Sequence, residues 1–179
     1  MVRNHPIMPV SDLMQYRAIG LVWGKYVPND IDQFARGNLI VENGERIEAV
    51  VLGRVVSVMK KYLSLDKPHL WVVYPRSKDS DGLHLQISGI WEPSTLGINN
   101  NQSITKAKDS KKEITYLDNL EEGRNYFSIR GELIYTKEDD NELIIKIRKK
   151  FRKNNGKQQP FKLQVKGKIP LEFLRHFVS

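Results

Sequence analysis

Cysteine is absent from this sequence of 179 residues. Its absence excludes a disulfide scaffold, a thiolate metal site and a cysteine nucleophile. The four histidines are scattered, and none of them pairs with another at metal-ligand spacing. No apolar run approaches the roughly 20 residues that cross a bilayer, and Met1–Ser11 lacks the apolar segment of a secretory signal. These absences predict a soluble, cytoplasmic protein with no metal, no other cofactor and no membrane partner.

Recognisable catalytic motifs are missing as well. Gly20–Lys25 is one residue short of a phosphate loop, and Tyr26 stands where serine or threonine is needed. No Ser-His-Asp arrangement is recognisable. Catalytic groups can still assemble from distant residues, but nothing in the sequence points to an enzyme.

Positive charge is concentrated in one part of the chain. The sequence has 29 Lys and Arg against 21 Asp and Glu, a formal charge of +8. Residues 143–168 supply the excess, because they contain ten basic side chains and no acidic one. Repulsion within such a cluster lowers stability, so the cluster usually has an anionic partner or stays well solvated. This stretch is therefore the candidate binding region.

Residues 16–93 have the pattern of five strands and one helix. The first strand, 16–27, is rich in aromatic and β-branched residues and contains two glycines that can host a bend. Asn43-Gly44 then separates two β-patterned runs, which is the strongest short-range hairpin signal. Residues 54–65 change to helical spacing, and strands over 69–74 and 83–91 follow. Alternation places one set of residues on the core face: Leu39, Val41, Ile47, Ala49 and Val51.

A second β region follows a polar segment. Residues 1–15 form an N-terminal arm, and 94–124 are Asn-, Ser- and Lys-rich, which predicts a linker or long loop. Residues 125–179 then repeat strand, strand, strand, helix, with the helix at 169–179. Three strands and a helix leave sheet edges exposed. The missing strands come from the first unit, from a second chain, or from sequence that is not part of this chain.

The element order of residues 16–93 resembles the OB-fold, a small Greek-key barrel that binds oligonucleotides and oligosaccharides. The resemblance rests on the long glycine-bearing first strand, the Asn43-Gly44 hairpin, the helix and the final strand. Residues 125–179 match as a partial copy. The implied fold class is mainly β, with an OB-like barrel followed by an incomplete OB-like unit that ends in a helix. Ligands of this fold usually lie across the second and third strands.

Side chains of a strand point alternately to its two faces, and this alternation places the cations of residues 143–168 on one face. In 142–151 and 160–168 the apolar residues alternate with cations, so two adjacent strands display the cations on one face. Neighbouring cations then lie about 5 Å apart across strands and about 7 Å apart along them. The predicted nucleic-acid-binding residues are Tyr126, Arg130, Lys146, Arg148, Lys150, Arg152, Lys153, Lys157, Lys162, Lys166 and Lys168.

Aromatic residues offer few stacking surfaces beside these cations. Trp23, Trp71 and Trp91 lie in apolar strands and are predicted to be core residues. Tyr16 and Tyr26 have the opposite parity to Trp23, which predicts exposed rings if no bulge shifts the register.

Phosphate groups complement such a cationic array. About six contacts to a single strand would give a salt slope near −4. We predict a non-enzymatic protein that binds single-stranded nucleic acid, DNA or RNA, through this face. The alternative is an assembly module whose basic face and open sheet edge contact an acidic partner or a second copy in a homo-oligomer. A small enzyme or a binder of anionic ligands is a third possibility.

Overall fold

A computed structural model of the chain describes residues 5–30, 32–77, 82–92, 120, 123–137, 139–148 and 159–179. Most of the predicted 94–124 linker lies outside these residues. Within the described part of the chain, no helix is long and apolar enough to cross a membrane.

Five strands and one helix form the first unit. The strands are β1 (Arg17–Pro28), β2 (Arg36–Val41), β3 (Arg46–Val51), β4 (His69–Ser77) and β5 (Leu83–Ile90). Helix α1 (Gly53–Tyr62) connects β3 to β4. The order β1-β2-β3-β5-β4 returns to β1, so the sheet closes into a barrel, with β3 and β5 parallel. The predicted five-stranded barrel is confirmed.

The barrel core follows the alternation of the sequence. Leu39, Ala49 and Val51 point inward and are fully or almost fully buried. Val55 and Met59 of α1 pack against this core and close the barrel on one side. The side chain of Trp71 is completely buried, and its indole N–H donates to the carbonyl oxygen of Gly24 at 2.8 Å.

Strand β1 belongs to both halves of the molecule. Its C-terminal part pairs with β2, and its middle pairs with β4. Its Arg17–Val22 segment also pairs with β6 (Asn125–Lys137), the first strand of the second unit. The first unit therefore covers one edge of the second unit, which was one of the three ways of completing it.

The second unit is a sheet built outward from β6. It continues through β7 (Glu142–Ile147) and β8 (Phe161–Lys166), and β9 (Phe177–Val178) pairs with β6. Its core consists of Ala18 from β1 with Ile145, Ile147 and Leu163. A Cβ at Gly131 would lie 2.6 Å from the carbonyl oxygen of Lys146, so glycine allows β6 and β7 to approach closely here.

Strand β8 also contacts the barrel. The backbone N–H of Gln164 donates to the Ser77 hydroxyl at 3.0 Å. The Arg76 guanidinium lies 4.0 Å from the centroid of the Phe161 ring, and burial lowers the pKa of Arg76. Both contacts hold the far strand of the second unit against the end of β4.

The helix predicted for residues 169–179 is wrong. Only Leu171–Phe173 forms a single 3₁₀ turn, and Arg175 then adopts a left-handed conformation with φ of 71°. Its backbone N–H donates to the carbonyl oxygen of Leu133 at 2.8 Å, and Phe177 enters the sheet beside β6. The edge of β6 offers backbone hydrogen bonds, and nucleation of a short helix is costly. Pairing with the sheet is therefore more favourable for this segment than a short helix.

Tyr26 is buried rather than exposed, with 1% of its surface accessible. Its hydroxyl donates to the carbonyl oxygen of Phe34 at 3.0 Å, and burial raises its pKa to about 12. The unfolded chain deprotonates near the ordinary tyrosine pKa of about 10. The Tyr26 contribution to stability is therefore complete below that pH and is lost as the pH rises through the folded-state pKa.

We expect the free energy of unfolding of the wild type to fall across this alkaline window more steeply than that of Tyr26→Phe. Urea denaturation at a series of pH values from about 9 to about 12 measures the difference. Parallel decreases in the two proteins would contradict the burial of an ionisable phenol at this position.

Candidate nucleic-acid interface

Alternation along β7 and β8 separates apolar from charged side chains. Leu143, Ile145, Ile147 and Leu163 are buried on the inner face. On the outer face Lys146 pairs with Lys162 across the two strands, and Glu142 pairs with Lys166. We call this outer face, with Lys146, Lys162, Lys166 and the adjoining Arg148, the basic ribbon. Its orientation toward solvent agrees with the parity of the sequence.

A carboxylate of β6 lies at one end of the basic ribbon. Glu132 pairs with Lys146 in the sheet register, and only 17% of its side chain is exposed. Its Oε2 accepts a hydrogen bond from Arg148 Nη2 at 3.1 Å and lies 3.9 Å from Lys146 Nζ. Its Oε1 lies 3.9 Å from Arg175 Nη1. We call these four residues the Glu132 cluster.

Aromatic rings lie beside this cluster. The Arg148 guanidinium is 5.6 Å from the centroid of the Tyr16 ring, within the range of a cation–π contact. Tyr16 in turn meets Phe177 edge to face, with the ring centroids 5.2 Å apart. Arg148 is therefore held between a carboxylate and an aromatic ring, which restricts the directions that its guanidinium can take.

Arg130 has a different environment from the ribbon cations. It is half-buried, and its Nη2 donates to the carbonyl oxygen of Leu13 at 2.6 Å. Its guanidinium also lies 5.5 Å from the centroid of the Phe177 ring. Arg130 thereby fastens the N-terminal arm and β9 to β6.

Tyr126 is not brought together with the ribbon cations. It packs against the cluster of Ile7, Leu21, Leu70 and Val72 on the barrel side of β6. Glu132 lies six positions further along the same strand, a distance of about 20 Å. Lys168 is exposed just beyond β8. Four predicted site residues lie outside the described residues: Lys150, Arg152, Lys153 and Lys157.

Sequence reasoning missed two members of the Glu132 cluster. The sequence pattern places Arg175 in a helix, whereas its approach to β6 depends on the left-handed turn that the structure has instead. Glu132 has the right parity to face the ribbon, but charge counting over 143–168 left it out. The alternation of β6, followed into the neighbouring strand, was the signal that could have found it.

The described cations of this surface exceed its carboxylates. Glu132 and Glu142 face Lys146, Arg148, Arg175, Lys162 and Lys166, so the surface keeps a net positive charge. Exposed guanidinium and ammonium groups donate hydrogen bonds and accept none. The surface is therefore suited to bind groups that carry several anionic oxygens.

Two family models match the chain. Residues 18–98 match the N-terminal OB-fold domain of the PatR RNA-binding protein, and residues 129–179 match a cyanobacterial C-terminal OB-fold-like RNA-binding domain. The chain belongs to the OB-fold superfamily. Both family descriptions are of RNA-binding domains, which supports the nucleic-acid-binding class predicted from the sequence. Comparison with curated proteins and with solved structures returns no match.

Proposed function

We propose that this OB-fold chain binds single-stranded RNA through the basic ribbon. The supporting observation is that Lys146, Lys162 and Lys166 share the solvent face of two paired strands, with Arg148 at one end. The RNA-binding descriptions of both matched families favour RNA over DNA.

A single strand fits this surface better than a duplex. OB-folds that bind single strands combine a cationic track for the backbone with aromatic rings on which bases stack. The ribbon supplies the cations, and the half-buried Tyr16 ring lies beside Arg148 at its end. A strand that crosses the ribbon would exchange condensed counterions for these side chains, so its binding depends on salt.

We expect fluorescence polarisation to detect binding of labelled oligo-U of about a dozen nucleotides, at least as tightly as oligo-dT. Six described cations are available, five on this surface and Lys168 just beyond β8: Lys146, Arg148, Lys162, Lys166, Arg175 and Lys168. With about −0.7 per phosphate contact, the logarithm of the association constant should fall with log salt at a slope of about −4.

The salt series also defines the result that rejects the proposal. Unchanged polarisation at the lowest salt, about 0.05 M, would show that the ribbon does not bind a single strand. Preference for an oligo-glutamate peptide over the oligonucleotide would instead favour a protein partner for this face.

A further inference from the structure

The Glu132 cluster has an excess of cations around one carboxylate. Among the residues that the structure describes, the Glu132 carboxylate accepts one direct hydrogen bond, from Arg148 at 3.1 Å, while Lys146 and Arg175 remain at 3.9 Å. A guanidinium carries five N–H donors, so both arginines keep donors for another acceptor. Arg148 and Arg175 are 57% and 73% exposed, which leaves those donors accessible from solvent.

The backbone of Arg175 has a conformation that arginine rarely adopts. In the described part of the chain, the non-glycine residues with positive φ are Arg175 and Asn141, at 71° and 54°. Asparagine is common in this region, whereas a long side chain is not. Glycine would satisfy the turn without steric cost, so the backbone alone gives no reason for an arginine here.

Two backbone hydrogen bonds fix this turn against β6. Arg175 N–H donates to the Leu133 carbonyl oxygen at 2.8 Å, and Leu133 N–H donates to the His176 carbonyl oxygen at 2.9 Å. Arg175 therefore starts from a rigid position next to Glu132. Its guanidinium and that of Arg148 approach the same carboxylate from separate segments of the chain, the turn before β9 and the end of β7, which leaves them preorganised for a second anion.

We propose that the Glu132 cluster is a clamp for one phosphodiester group of the bound strand, with Arg148 and Arg175 as its donors. The clamp deepens the proposed function and rests on it. Glu132 acts as a positioning residue that holds the two guanidinium groups near each other when no strand is bound. Planar guanidinium groups suit this role because they form paired hydrogen bonds to phosphate oxygens.

The test compares Arg175→Gly with Arg54→Gln in the full chain. Both variants lose one positive charge, but Arg54 is exposed on α1 of the barrel, outside the cluster. We expect Arg175→Gly to keep the wild-type melting temperature and to weaken oligo-U binding about fivefold at about 0.1 M salt, with a slope shallower by about 0.7. Arg54→Gln should change the affinity less than about twofold. Arg148→Gln should weaken binding about as much as Arg175→Gly.

Each outcome is informative. If the wild type binds oligo-U but Arg175→Gly and Arg54→Gln weaken it equally, net charge alone acts and the clamp is rejected. If Arg175→Gly melts well below the wild type, the arginine supports the fold and the clamp is likewise rejected. If the wild type binds no oligonucleotide at low salt, the proposed function fails together with the clamp.

Discussion

Neutralising four cations of the basic ribbon, with Lys146, Arg148, Lys162 and Lys166 all changed to Gln, should weaken oligo-U binding by two to three orders of magnitude at about 0.1 M salt. Each cation that contacts a phosphate releases a counterion. At about 0.1 M salt, the loss of four contacts therefore lowers the logarithm of the association constant by about 2.8, relative to 1 M salt. The fold should tolerate the change, because the side chains lie on the outer face of β7 and β8.

A matched variant distinguishes the loss of a local binding surface from the loss of total positive charge. Changing Arg54, Lys60, Lys61 and Lys67 to Gln removes the same charge from α1 and the segment after it. We expect this control to weaken binding no more than about threefold, since distant charges are screened within about 10 Å at this salt. Equal losses in the two quadruple variants would contradict a binding surface on the ribbon. Circular dichroism spectra like the wild type's are the check on folding.

Replacing Trp71 by alanine should lower the free energy of unfolding by about 3–5 kcal/mol. The ring is completely buried in the barrel, and its removal leaves a cavity and takes away the indole N–H that donates to the carbonyl oxygen of Gly24. Urea denaturation followed by circular dichroism measures the loss. Trp71→Phe keeps most of the packing and loses the hydrogen bond, so we expect a smaller cost of about 1–2 kcal/mol.

Trp71→Ala also tests the connection between the two units. Gly24, the acceptor of the Trp71 hydrogen bond, lies on β1, which also pairs with β6. Unfolding of the barrel should therefore remove β1, the strand that covers one edge of β6 in the second unit. We expect loss of secondary structure and loss of oligo-U binding to follow one curve in urea. Binding that persists after the barrel unfolds would show that residues 125–179 fold independently.

Local signals predicted most of the fold. Asn43-Gly44 lies in the turn between β2 and β3, where the Gly44 N–H donates to the carbonyl oxygen of Val41 at 2.8 Å and Gly44 has a positive φ of 83°. Helical spacing predicted α1 within three residues at either end. These features depend only on residues that are neighbours in the sequence, so the sequence of this chain is enough to predict them.

Two errors came from contacts that are distant in sequence. Parity on a strand with one covered face predicts an exposed Tyr26, whereas β1 has neighbours in both units and contributes to three separate clusters. The C-terminal segment was assigned to a helix from its apolar stripe, but the edge of β6 pairs with it. Neither partner is visible in a local window of sequence.

The candidate site, like the fold, could be predicted from the sequence only in part. Alternation predicted which face of β7 and β8 carries Lys146, Lys162 and Lys166. The place of Arg175 in the Glu132 cluster was not predictable, because that contact joins a strand of the second sheet to a turn more than forty residues later. The structure also separates Tyr126 from the ribbon, since equal parity on one strand does not mean proximity.

The most direct measurement is the salt slope of oligo-U binding for the wild type and for the four-cation ribbon variant, because the slope counts the phosphates that are neutralised. We predict a slope of about −4 for the wild type and about −1.4 for the variant, with the α1 control close to the wild type. Identical slopes for the wild type and the ribbon variant would contradict the account, since the strand would then bind elsewhere on the protein.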